Sequence, residues 1–135
     1  MSDNKRRPAG VIFLWGPVAV YVLLIFYASS LSDPPGVPPL PHFDKLIHFF
    51  EYGLLGFLLG RALGLMGRKS GYLALVAASL AIGAGVGMAD EYYQGTIAGR
   101  DRSLADFLVD LVGLLFSLFL LRTLSARKDE PSSSS

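Results

Sequence analysis

The chain contains no cysteine, one tryptophan and two histidines, and only 17% of its 135 residues carry a formal charge. Without cysteine there is no disulfide framework, no thiolate metal site and no thiol nucleophile. His48 is the one histidine inside an apolar segment, so a zinc-protease signature of paired helical histidines is excluded as well. The net charge of +1 is uninformative by itself, and nucleic acid is not an expected partner.

What the chain has in quantity is apolar surface. Hydrophobic residues make up 52% of it, too much for an ordinary soluble domain, and it is too long for a single membrane span. The expected class is an all-α polytopic membrane protein, with four transmembrane helices in a compact bundle. Residues 10–28 carry no formal charge and are long enough to cross about 30 Å of hydrocarbon, which makes them the first span. The basic residues Lys5, Arg6 and Arg7 before it, and the small residues at 28–30, also have the form of a signal peptide. The apolar run exceeds a usual signal core, so a retained anchor is expected. Five of the eight prolines fall between 34 and 41 and demand an extended loop, since each removes an amide donor and restricts its predecessor. Further spans are expected at about 44–65, 71–92 and 104–121. The organisation is thus a basic arm (1–9), a membrane domain (10–122) and a charged, then serine-rich, disordered tail (123–135).

Basic residues divide unevenly between the two sides. The amino-terminal arm, the connection between spans two and three and the carboxy-terminal tail hold nine Lys and Arg, against Lys45, Arg100 and Arg102 on the other side. This bias places both termini in the cytoplasm of a multi-pass protein of the cytoplasmic (inner) membrane. The start of span two, the end of span three and the start of span four then meet the extracytoplasmic surface.

The acidic residues collect at those same helix ends. Asp44 and Glu51 begin span two, Asp90 and Glu91 end span three, and Asp101, Asp106 and Asp110 open span four. At about 100° per residue, Asp44, His48 and Glu51 share one arc of a helix with Tyr52 beside them. Gly53, Gly56, Gly60 and Gly64 are expected on the opposite face, where small residues admit a second helix or a second copy of the chain. Likewise Gly83 and Gly87 share a face with Asp90 and Gln94, and Asp106 and Asp110 with Gly113. An ionised carboxylate at mid-bilayer costs roughly 2.5–3.5 kcal/mol on insertion scales, so such a group needs partners, water or a metal. The candidate catalytic residues are His48, as general acid or base, with Glu51, Glu91 and Asp106. Asp44, Lys45, Tyr52, Gln94, Arg100, Ser103 and Asp110 are the candidate ligand-binding residues. Arg100 and Arg102 suit a phosphate-bearing ligand, and a divalent cation between carboxylates and phosphate is left open. His42, in the proline loop, is expected to be merely exposed.

These segments resemble the VanZ-like family of small bacterial membrane proteins. The resemblance rests on Ser29-Ser30, on Asp44-Lys45-x-x-His48-Phe49-x-x-Tyr52 with Leu55-Gly56, on Glu91-x-x-Gln94, and on Gly99-Arg100-x-x-Ser103-x-x-Asp106 followed by Gly113. It covers roughly residues 11–121. Where the family pattern usually has Asn, this chain has Asp110, which adds a negative charge. The resemblance implies an integral membrane protein, and its founding member is linked to low-level resistance to the glycopeptide teicoplanin. Two activities are in view. The first is binding of membrane lipid, a lipid-linked envelope precursor or a lipoglycopeptide, and the second is a membrane-embedded hydrolase or transferase acting on a lipid phosphate or envelope glycan.

Overall fold

The computed structural model describes residues 8–31, 42–66, 71–100 and 102–128. Four helices follow in order: α1 (Pro8–Ser29), α2 (Phe43–Met66), α3 (Tyr72–Gln94) and α4 (Leu104–Lys128). All four are long and apolar enough to cross a membrane, which is consistent with a multi-pass membrane protein. Among the described residues there is no strand. The basic arm at Lys5, Arg6 and Arg7, the proline run, the turn residues Arg68 and Lys69, and Asp101 lie outside the described residues.

The helices alternate in direction, so the ends of α1 and α3 meet the starts of α2 and α4. α2 and α3 pack against each other, and each also touches α1 and α4, whereas α1 and α4 do not meet. The core is a narrow seam of Val18, Ile25, Tyr52, Leu55, Leu59, Ala62 and Leu114. Large apolar side chains such as Phe50, Leu54, Leu73, Leu108 and Phe119 point outward and are exposed. A water-soluble protein of this size would not leave so much apolar surface uncovered, whereas a bundle surrounded by hydrocarbon would.

Glycine decides how closely α2 and α4 approach. A Cβ at Gly113 would collide with the Phe49 carbonyl oxygen and stand 3.0 Å from the Gly53 amide nitrogen. One at Gly56 would collide with Ser117 Oγ and lie 2.9 Å from the Leu114 carbonyl oxygen. Only glycine lets the two backbones come this near. Two expectations change as a result. The stripe of Gly56 and Gly60 is filled by α4 of the same chain, through Leu114, Ser117, Leu118 and Leu121, so a second copy would have to displace α4 to use it. Nor is that stripe opposite the polar face. His48, Tyr52, Leu55, Gly56, Leu59 and Gly60 form one continuous buried arc, and α4 covers both its polar and its glycine portions.

The tail also differs from expectation, because α4 continues to Lys128 and residues 123–128 are helical. The apolar span ends near Leu121, but neither glycine nor proline occurs between Gly113 and Pro131 to stop the backbone. Composition marks where hydrocarbon ends, and only a breaker marks where a helix ends. At this end of the bundle Arg122 stacks on the Tyr72 ring at 4.4 Å, and Arg61 stacks on Phe13 at 5.3 Å while donating to the Phe13 carbonyl.

Candidate functional site

At the other end, the four helix termini bring together nearly all the polar side chains singled out above. α4 begins with a cap in which Ser103 Oγ accepts a hydrogen bond from the Asp106 amide at 3.2 Å. The Ser103 amide in turn donates to Glu91 Oε2 at 2.8 Å, which ties the start of α4 to the end of α3. Ser103 is therefore a capping and clamping residue. The connection from α3 turns back through Gly99, at φ 83°, a left-handed conformation that favours glycine. That turn carries the Arg100 guanidinium to the Ser29 carbonyl at 3.3 Å.

Three sets of contacts cross the bundle. His48 Nδ1 lies 2.9 Å from Asp110 Oδ1, with both side chains buried. Lys45 Nζ donates to Asp106 Oδ1 at 2.5 Å and lies 3.5 Å from Asp44 Oδ2. Gln94 Nε2 donates both to Asp90 Oδ2 at 3.0 Å and to Ser29 Oγ at 3.2 Å. Tyr21 on α1 adds a bond from its hydroxyl to the Glu51 backbone carbonyl at 3.1 Å. A missing partner in such a network would leave a buried charge or dipole unsatisfied, so its members constrain one another.

Two clefts open onto this network from different sides. The first, of about 140 Å³, is bounded by Ser29, Asp44, His48, Glu51, Gln94 and Arg100. The second, of about 350 Å³, lies between α3 and α4 and is lined by Glu91, Tyr92, Arg102, Ser103 and Phe107. Arg100 and Arg102 thus serve separate clefts rather than one phosphate, and Arg102 is stacked 4.6 Å above the Tyr92 ring. The Glu51 carboxylate borders the first cleft and makes no hydrogen bond among the described residues.

The remaining candidates take varied places. Tyr52 is fully buried in the core and lines neither cleft. Asp106 is engaged by Lys45 and by the start of its own helix, whereas Asp44 is largely exposed at the cleft mouth. His42 is exposed ahead of α2. Three residues outside the candidate set belong to the network, Tyr21, Asp90 and Ser29. Asp90 was visible as a residue four before Gln94 on the Gly83–Gly87 face, while Ser29 ends α1 and has no spacing relation to the others.

Several buried oxygens have no hydrogen-bond partner among the described residues: Tyr52 OH, Asp90 Oδ1, Glu91 Oε1 and Asp110 Oδ2. One ligand atom each from His48, Glu91 and Asp110 lies within 4.8 Å of the other two, and all three residues are buried. The arrangement can accept a proton, hold a cation or orient a polar group entering from the first cleft.

No protein-family model and no solved structure matches the chain. An uncharacterized protein of Schizosaccharomyces pombe is 27% identical over 103 residues, which cover 76% of this chain and 60% of the yeast protein. The chain therefore spans about three-fifths of the length of that relative.

Proposed function

We propose that the chain is a VanZ-like integral membrane protein of the cytoplasmic membrane, with both termini cytoplasmic. Its pocket at the extracytoplasmic ends of α2, α3 and α4 binds a lipid-linked component of the cell envelope, and low-level protection against teicoplanin is a consequence of that binding. The observation that carries this reading is the first cleft, a small opening bordered by His48, Glu51, Gln94 and Arg100 at one end of four apolar helices. Its volume of about 140 Å³ decides what enters. Sites for whole small molecules run to about 300–1,000 Å³, so here a headgroup phosphate enters while acyl chains, sugars and peptide stay outside. Arg100 supplies the charge that recognises such a group.

The test is a titration of the purified chain in nanodiscs with lipid-linked wall precursor and, separately, with teicoplanin. Saturable binding by the wild type that weakens at least tenfold in Arg100→Ala is expected. Absence of saturable binding to both probes removes this reading. Alongside it, teicoplanin susceptibility of a sensitive bacterium expressing wild type or His48→Ala at matched levels reads the phenotype directly.

A second reading is a hydrolase or transferase acting on a lipid phosphate. It is favoured by the buried pairing of His48 with Asp110, the arrangement that orients an imidazole as general base, next to the unbonded carboxylate of Glu51. On this reading His48→Ala abolishes turnover at a temperature where circular dichroism shows its helices intact, although loss of the partner of Asp110 lowers its unfolding midpoint.

A further inference from the structure

We propose that His48, Glu91 and Asp110 form a binding site for a single divalent transition-metal ion, of the Mn²⁺ or Zn²⁺ kind. The inference concerns the same end of the bundle but does not rest on any lipid ligand or reaction.

Geometry comes first. The three ligand atoms come from three different helices, α2, α3 and α4, and lie within 4.8 Å of one another. His48 Nδ1 and Asp110 Oδ1 are already 2.9 Å apart. Bonds of about 2.1 Å hold adjacent ligands about 3 Å apart, so an ion entering here would take the place of the proton shared by this pair. Modest side-chain rotation brings in Glu91. One imidazole with two carboxylates is a borderline-to-hard donor set, suited to Mn²⁺, Fe²⁺ or Zn²⁺ rather than to a thiophilic metal.

The second observation is independent of that spacing. Asp110 is 1% exposed and Glu91 8%, and each has one carboxylate oxygen in the hydrogen-bond network while the other, Oδ2 and Oε1, has no partner among the described residues. A cation satisfies lone pairs directly. Asp90, next to Glu91 in the chain, is fully buried, with Oδ2 accepting from Gln94 Nε2.

Charge points the same way. Asp44, Glu51, Asp90, Glu91, Asp106 and Asp110 converge on Lys45, Arg100 and Arg102, and Arg102 is turned toward Tyr92. Asp106, Glu51, Asp90 and Glu91 all lie within Coulomb range of the His48 ring. An excess of buried negative charge in an apolar bundle is costly. A divalent ion offsets that charge. It also has access, since His48 borders the first cleft and Glu91 the second.

The experiment is an Mn²⁺ titration of the purified, chelator-treated chain in detergent, followed by electron paramagnetic resonance. One ion per chain is expected, with echo-envelope modulation from a single imidazole nitrogen that disappears in His48→Ala. Asp110→Asn and Glu91→Gln each weaken binding at least tenfold, whereas Asp44→Asn, at the exposed cleft mouth, leaves it unchanged. Asp110→Asn retains a polar partner for His48, and circular dichroism checks that its helices are intact. If Mn²⁺ binds without the nitrogen signal, binds equally to all variants, or does not bind at about one equivalent, the site is a network closed by protons and water and the proposal is wrong. No lipid is present in this titration, so its failure leaves the lipid-binding proposal standing, and loss of lipid binding leaves this one standing.

Discussion

At the scale of single residues, the polar end of the bundle separates side chains that the sequence presents as equals. Asp44 and Asp110 are both carboxylates within reach of a basic group, yet one is mostly exposed and the other is 1% exposed. Removing one partner of a buried pair costs about 3–5 kcal/mol, because the other is left without compensation. Asp110→Ala is therefore expected to destabilise the chain by that order, while Asp44→Ala changes stability by no more than about 0.5 kcal/mol. Unfolding in mixed micelles, followed by circular dichroism, measures both, and equal effects would contradict the burial described. Periodicity alone brought His48, Glu51, Glu91, Gln94, Asp106 and Asp110 to one end of the molecule. It could not tell that Ser103 caps a helix, that Tyr52 sits behind the site, or that Arg100 and Arg102 diverge. Those distinctions depend on rotamers and on how the connecting turn closes at Gly99.

At the scale of elements, close approach of α2 and α4 sets where His48 meets Asp110. The Gly113 Cα hydrogen occupies space that any side chain would contest with backbone, the Phe49 carbonyl, rather than with a movable group. Overpacking costs typically about 1–3 kcal/mol, and a collision with backbone belongs at the upper end. Gly113→Val is thus expected to lower the unfolding midpoint and to weaken any activity that needs His48, because it pushes the two helices apart. Gly85, on α3, has open space around it, and Gly85→Ala is expected to be neutral or to stabilise by up to about 1 kcal/mol through helix propensity. Comparing the two variants in thermal melts isolates packing from propensity. The glycine spacing was legible in the sequence, but its partner was not, since a stripe of small residues fits a neighbouring helix and a second copy equally well.

At the scale of the whole molecule, the four helices give two chemically different ends. One carries the carboxylates and His48; the other carries Arg61 and Arg122, stacked on aromatic rings. If the polar end faces outward, a cysteine introduced at exposed Thr96 is labelled by a membrane-impermeant maleimide in intact cells. A cysteine at exposed Ser125, at the far end of α4, is labelled only after permeabilisation. The chain has no cysteine of its own, so each label reports one position. The reversed pattern would overturn the orientation drawn from the basic residues and, with it, an extracytoplasmic ligand.

Sequence by itself determined the number of helices, their approximate limits and the end at which the polar residues gather. All of these follow from hydropathy, helical period and the positions of proline, which act locally along the chain. Only the tertiary structure decided which carboxylates are satisfied and which retain a bare oxygen, because that depends on separations between α2, α3 and α4. The pairing of His48 with Asp110 spans 62 residues, and no local pattern encodes it. It arises because Gly53, Gly56 and Gly113 let two backbones approach until the side chains one turn away are forced into contact.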